Sequence, residues 1–231
     1  NDGVCGIRGA EGTVWCFGPG IGAGAGGLTP VQAGSDGGWT TLDGNDGFCG
    51  IREGAMYCWW GTGPFTQVGS DSDWTAVSLP LGAFCGLRAG MVWCSGDDWA
   101  GVVTGVRHVA MLPLTQFGSD NDWSAIIAED ESVCGLRPSG LYCWGAAFGP
   151  TGLRQASTSS DWVAFGGGAD SSTSYALTGD GRLFEIGFND VVQFGTLTGW
   201  TGVGAFSGGG CGQNAGVFQC WGDNATGALG D

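Results

Sequence analysis

Cysteines, one histidine and paired carboxylates are the groups in this chain that could do chemistry, and the cysteines are the most ordered of them. Cys49 and Cys58, Cys85 and Cys94, Cys134 and Cys143, and Cys211 and Cys220 each stand nine residues apart, while Cys5 and Cys16 close the same phrase with two residues added. These five pairs use all ten cysteines. A thiolate metal site needs closely spaced ligands, as in Cys-x-x-Cys, with further donors nearby, and this spacing offers neither. A step of nine fits an antiparallel hairpin with a two-residue turn instead: Gly135 opposite Tyr142, Leu136 opposite Leu141 and Arg137 opposite Gly140, around Pro138-Ser139. Directly opposed residues fall within the roughly 4.4–6.8 Å Cα separation of a disulfide, so each pair is expected to staple its own hairpin.

A sixth copy, Tyr175 to Phe184, keeps the step of nine and Gly181 but carries aromatics where the cysteines were. It reads as the same hairpin, with Tyr175 and Phe184 as an apolar cross-strand pair at the stapled position. An aromatic pair replaces packing and not a ligand or a nucleophile, which argues that the cysteines are structural. The other hairpin face repeats as well, with Gly6 opposite Trp15, Gly50 opposite Tyr57 and Gly86 opposite Trp93. An aromatic over a cross-strand glycine covers exposed strand backbone.

The single histidine, His108, lies in the apolar run Val106-Arg107-His108-Val109-Ala110-Met111, and no Ser-His-Asp or Cys-His set assembles around it. Twenty-two carboxylates make any pair spaced for glycoside hydrolysis unremarkable. The Asp-x-Asp turns lack the twelve-residue pattern of a calcium loop. No catalytic residue, cofactor or metal site is expected.

These groups are positioned by a repeated frame. Ahead of most hairpins stands a short strand: Trp39 to Leu42, Trp74 to Val77, Trp123 to Ile126, Trp162 to Phe165 and Trp200 to Val203. The preceding turn is polar and acidic, as in Gly69-Ser-Asp-Ser-Asp73 and Gly118-Ser-Asp-Asn-Asp122, residues that start turns by bonding their own backbone. A further strand follows each hairpin, as at Leu28 to Gln32, Phe65 to Val68 and Leu114 to Phe117. Hairpins starting at 5, 49, 85, 134, 175 and 211 give steps of 44, 36, 49, 41 and 36 residues. Four short strands at a period near 40 are the signature of a β-propeller. The expectation is an all-β propeller of about six four-stranded blades, seven if the chain is a fragment, occupying residues 1–231 as one domain. One blade is expected to be incomplete, because no Trp strand precedes Cys5.

The segment Cys220-Trp221-Gly222-Asp223-Asn224-Ala225-Thr226-Gly227-Ala228-Leu229-Gly230 is similar to the "W-G-x-N-x-x-G-x-L-G" blade signature of the regulator of chromosome condensation (RCC1) repeats. Tyr175 to Phe184 resembles that family's "A-L-T-x-D-G-x-V" hairpin. The resemblance spans almost the whole chain as a repeat pattern, specific in the last segment and weaker elsewhere, where the Asn-x-x-Gly-x-Leu-Gly tail is missing. It implies a propeller, of about seven blades in the best-known members, with short-repeat secreted relatives of the type II β-lactamase inhibitory protein kind. Asn224 also opens an Asn-x-Thr sequon, but its place in the blade signature accounts for it without glycosylation.

The chain has no lysine, seven arginines and a formal net charge of −15, which excludes nucleic acid, whose binding rests on phosphate neutralisation, and disfavours an anionic membrane surface. No run of about twenty apolar residues exists to span a bilayer. Ten paired cysteines place the protein in an extracellular or periplasmic setting, with any signal peptide already absent ahead of Asn1. The Gly18–Gly27 segment reads as a mobile loop; without a following Gly-Lys-Ser/Thr it is no phosphate loop.

Arg8, Arg52, Arg88 and Arg137 share one repeat position before the hairpin turn. Either they meet Asp from an acidic turn or they form a basic belt on one face. Residues outside the frame are the candidates for recognition, since a particular partner is met where repeats differ. Trp60 follows the frame's Trp59, and the 95–116 insertion carries Asp97, Asp98, Trp99, Arg107 and His108. Aromatics beside carboxylates suit a protein hot spot or a sugar platform. The expected function is therefore non-enzymatic binding of another protein, with a Trp-lined lectin as the alternative and a glycosidase third.

Overall fold

The computed structural model describes residues 4–17, 29–44, 47–59, 64–107, 110–148, 152–167, 174–187, 190–206 and 208–223. Trp60, His108, the Gly18–Gly27 segment and Asn224–Gly230 lie outside these residues. Six antiparallel sheets follow one another along the chain as propeller blades. The first holds β1 (Val4–Arg8), β2 (Thr13–Phe17) and β3 (Val31–Gln32). The second holds β4 (Trp39–Gly44), β5 (Phe48–Arg52), β6 (Ala55–Trp59) and β7 (Thr66–Gln67). The third holds β8 (Trp74–Ser78), β9 (Ala83–Arg88), β10 (Met91–Asp97) and β11 (Met111–Gln116). The fourth holds β12 (Ala125–Glu129), β13 (Ser132–Arg137), β14 (Gly140–Gly145) and β15 (Arg154–Ser157). The fifth holds β16 (Trp162–Gly166), β17 (Ser174–Thr178), β18 (Leu183–Ile186) and β19 (Val191–Gln193). The sixth holds β20 (Trp200–Phe206), β21 (Gly209–Asn214) and β22 (Val217–Gly222). The incompleteness expected of one blade is thus shared: among the described residues the first blade lacks a strand ahead of β1 and the sixth lacks one after β22.

Each cysteine pair is opposed across its own hairpin and bonded, Cys5–Cys16, Cys49–Cys58, Cys85–Cys94, Cys134–Cys143 and Cys211–Cys220, with Cα atoms 4.0–4.1 Å apart. Each closed loop is short, so each bond contributes near the low end of the roughly 2–4 kcal/mol typical of disulfides. The disulfides also fill the spaces between blades. Cys85 and Cys94 of the third blade, with Leu87 and Val92, pack against Trp123, Ile126 and Trp144 of the fourth; cysteines likewise sit in the clusters joining the first to the second, the second to the third and the fourth to the fifth blade, while Tyr175, Leu177 and Leu183 meet Trp200 between the fifth and sixth.

The fifth blade corrects the expected register. Tyr175 opposes Glu185, and Phe184 opposes Ala176. The hairpin turn holds three residues, Gly179-Asp180-Gly181, closed by the Thr178 N–H donating to the Arg182 carbonyl at 3.0 Å. One extra turn residue moves every pairing on the second strand by one and exchanges its faces. Phe184 is therefore the counterpart of Tyr142, an aromatic over a small cross-strand residue, and its ring meets Trp162 edge-on as Tyr142 meets Trp123. Tyr175 takes the position of Cys134, and Glu185 that of Cys143.

The frame tryptophans explain the hairpin glycines more directly than the cross-strand aromatics do. A Cβ on Gly135 would lie 2.7 Å from the Trp123 ring, and Gly50, Gly86 and Gly212 meet Trp39, Trp74 and Trp200 in the same way. Over each indole sits the arginine of the repeat: Arg52 over Trp39, Arg88 over Trp74 and Arg137 over Trp123. Each of these guanidiniums then holds the acidic turn. Arg137 pairs with Asp120 at 2.9 Å and Asp122 at 2.7 Å, Arg88 with Asp71 and Asp73, and Arg52 with Asp36. Of the two readings of these arginines, the pairing with Asp is the one the structure shows, and the charges of the three are neutralised within their repeats.

Polar links join the inner strands. The Asp43 carboxylate accepts from the Ser78 hydroxyl at 2.7 Å and the Leu79 N–H at 2.9 Å, and Ser78 Oγ accepts from the Ala128 N–H at 2.7 Å, connecting three blades. Burial raises the Asp43 carboxyl above its ordinary range, against the pull of these hydrogen bonds.

Two stability experiments follow. Tyr175→Cys/Glu185→Cys should oxidise in air to a sixth staple, whereas Tyr175→Cys/Phe184→Cys should keep free thiols in the native state, as read by thiol titration; the reverse result would contradict the three-residue turn. Gly135→Ala should cost about 1–3 kcal/mol in denaturant unfolding, because the buried Trp123 ring has to shift, while Gly6→Ala, with nothing within 4 Å of the added carbon, should be close to neutral.

Candidate functional site

The 95–116 insertion links β10 to β11, which pair with an irregularity between Cys94 and Gly96. It is built around Asp98, whose side chain is fully buried and so removed from the residues available to a partner. One carboxylate oxygen accepts from the Val103 N–H at 2.7 Å and the other from the Thr104 hydroxyl at 2.6 Å. Its backbone carbonyl accepts from the Gly101 N–H at 3.0 Å. The sequence reading grouped Asp98 with the contact residues; the structure makes it the organiser of the loop, as Asp commonly is where it bonds nearby backbone.

The loop is also anchored from outside. Ala100, Val102 and Val103 are buried in the core shared by the third and fourth blades. The Trp144 indole N–H donates to the Val102 carbonyl at 2.9 Å, and Phe117 stacks on Trp144 at 4.3 Å between ring centroids. Apolar anchoring and a buried carboxylate hold this insertion to the body of the propeller.

What remains outward is mostly apolar. Trp99 is 37% exposed, Val106 61% and Met111 74%, and Arg107 is exposed beside them in sequence. Asp97 is half-buried, and its carboxylate accepts from the Trp99 N–H at 3.2 Å while its own N–H donates to the Gly82 carbonyl at 2.9 Å. The structure thus brings Asp97 and Trp99 together and sequesters Asp98, and Trp60 and His108 lie outside the described residues. Val106 and Met111 were not singled out from the sequence. The available signal was the apolar run 106–111 in an insertion whose core places are already taken by Val102 and Val103.

No protein-family model matches the sequence, and no curated protein matches it. Solved structures do. Prp20p from Saccharomyces cerevisiae superposes with a TM-score of 0.82 over 99% of this chain and 71% of that one, at 15% identity. Human WBSCR16 gives 0.74 over 94% and 73% at 15% identity, and the entire ectodomain of the Physcomitrella patens receptor kinase CR4 gives 0.65 over 96% and 58% at 21%. Prp20p is yeast RCC1, so the fold is that of the RCC1-like propellers, in agreement with the repeat signatures. The structure of Prp20p is described with its binding to Gsp1p and histones, and another structure holds it bound to Kap60.

Asp98→Ala should destabilise the fold by about 1–3 kcal/mol, since a buried N–H and a hydroxyl lose their acceptor. Limited proteolysis should then cut between residues 99 and 110 well before the rest of the domain, and Asp98→Asn, which keeps an acceptor oxygen, should retain part of the protection. Equal resistance of Asp98→Ala and wild type would remove Asp98 from its organising role.

Proposed function

From an RCC1-type propeller with an anchored, partly apolar insertion on one edge, we propose that this protein is a secreted, non-enzymatic binding protein and that the insertion contacts another protein. The observation that carries this reading is the exposed set Trp99, Val106 and Met111 on a loop fixed by Asp98 and Trp144. Exposed apolar side chains on a rigid support lose little entropy on docking, and a central aromatic is the usual hot spot. Arg107 at the rim adds a charge for orientation.

The related fold supports the class of function. Prp20p binds Gsp1p and histones, and binding of partner proteins needs no catalytic residue. Five disulfides support maturation in an oxidising compartment, the CR4 neighbour is itself an ectodomain, and no helix among the described residues is long and apolar enough to cross a membrane. The lectin alternative keeps one feature, the exposed Trp99 beside the Asp97 carboxylate, which offers a stacking face next to a hydroxyl acceptor.

The two readings separate experimentally. Trp99→Ala/Met111→Ser should leave the melting temperature within about 1–2 °C, as surface changes worth under roughly 0.5 kcal/mol, and weaken binding of a purified protein partner at least tenfold by calorimetry. Trp60→Ala added to this pair tests the neighbouring position. Trp99-dependent binding on a glycan array, with no protein partner retained, would favour the lectin; unchanged protein binding by the double variant would move the contact elsewhere.

A further inference from the structure

The ion pairs of Arg52, Arg88, Arg137 and Arg182 lie at the hairpin and acidic turns, and two carboxyl groups at the opposite ends of the inner strands have no cationic partner among the described residues. Glu129, the last residue of β12, is 4% exposed. Its Oε2 accepts from the Ser132 hydroxyl at 3.2 Å, whereas its Oε1 is buried and accepts nothing. Ser174, the first residue of β17, faces it from the fifth blade, and the Ser174 hydroxyl is likewise buried without a hydrogen-bond partner. The charge that acts on Glu129 from its own turn is that of Asp130, a second acid.

Asp43, near the end of β4, is the other group. Half-buried, it accepts from the Gly44 N–H at 2.9 Å besides the Ser78 hydroxyl and the Leu79 N–H. Ser78 accepts in turn from the N–H of Ala128, the residue before Glu129. One polar line therefore runs from Asp43 through Ser78 to Glu129 and Ser174, across the second, third, fourth and fifth blades. An acid stands near each end, faced by hydroxyls and N–H groups and not by a cation.

A carboxylate without a cation costs most where water is excluded. Burial accordingly raises both carboxyls above their ordinary range and outweighs the donors that pull the other way. A proton on Glu129 Oε1 removes the charge and gives Ser174 Oγ the donor it lacks. Asp180, at the turn of the fifth blade, is the reverse case: the Thr178 hydroxyl and Arg182 hold it below the ordinary range.

We propose that Asp43 and Glu129 form a proton-operated joint of the inner ring, each taking up a proton as the medium acidifies and so strengthening the hold of the second to fifth blades on one another. A carboxyl that binds its proton more tightly in the folded than in the unfolded chain contributes fully below the unfolded value, about 3.9 for Asp and 4.3 for Glu, and that contribution is lost as pH rises through the folded value. Mild acid thus favours the inner ring while it weakens outer pairs such as Asp180 with Arg182. The joint stands apart from the third-blade insertion and does not depend on the partner proposed for it.

Two measurements on the whole protein test this. NMR titration of the side-chain carboxyl carbons should show one Glu and one Asp titrating above the rest, the first missing from Glu129→Gln and the second from Asp43→Asn. Urea unfolding in about 1 M salt, where a Debye length of about 3 Å screens repulsion among the surface carboxylates, should show the midpoint rising from about pH 7 to about pH 4.5. Each single variant should lose part of that rise and the double variant most of it. A Glu129 carboxyl titrating at or below the ordinary glutamate range, or a rise as large in the double variant as in the wild type, would overturn the proposal. If the variants do not fold, the wild-type titration decides alone, with Glu129 assigned through its backbone connection to Ala128.

Discussion

The contact on which the propeller depends is an indole ring packed, in four of the blades, against a residue with no side chain. Trp39, Trp74, Trp123 and Trp200 each occupy the space above a hairpin glycine of the adjacent strand, at a distance that admits no Cβ. The large apolar area of the indole is thereby buried against backbone, and the hairpin is drawn close to the strand that precedes it. In the second, third and fourth blades an arginine lies over the same ring and reaches the acidic turn, so ring, cation and carboxylate form one cluster in each of these three blades. Exposed ion pairs of this kind contribute only about 0.2–1 kcal/mol each. Their value is positional, since they fix the turn from which the Trp strand starts.

Disulfides and aromatics are interchangeable in this architecture because the space between blades asks for volume, not for covalent bonds. The fifth blade makes the point: Tyr175 stands where Cys134 stands in the fourth and packs on Phe194 and Trp221, with the Trp221 indole N–H donating to its hydroxyl at 2.9 Å. A chain with fifty glycines has unusually high backbone entropy to lose on folding, and short local disulfides offset part of it hairpin by hairpin.

The sequence alone settled those features that depend on parity along two adjacent strands. A step of nine with a two-residue turn determines which residues face each other, and that fixed four of the five disulfides and their glycine–aromatic pairs, with Cys5–Cys16 following as the same phrase with two residues added. It misplaced Tyr175 and Phe184, because one additional turn residue, Gly179-Asp180-Gly181, reverses parity and leaves no mark in the spacing of the aromatics. The partners of the arginines were decided only by the packing of blade on turn, which brings Asp120 and Asp122 to Arg137 across 17 and 15 residues of chain. The split of the insertion into buried Asp98 and exposed Trp99 was likewise tertiary. Adjacent residues of similar promise in the sequence part company once Val102 and Val103 claim the space beneath Trp144, and only the folded core could make that choice.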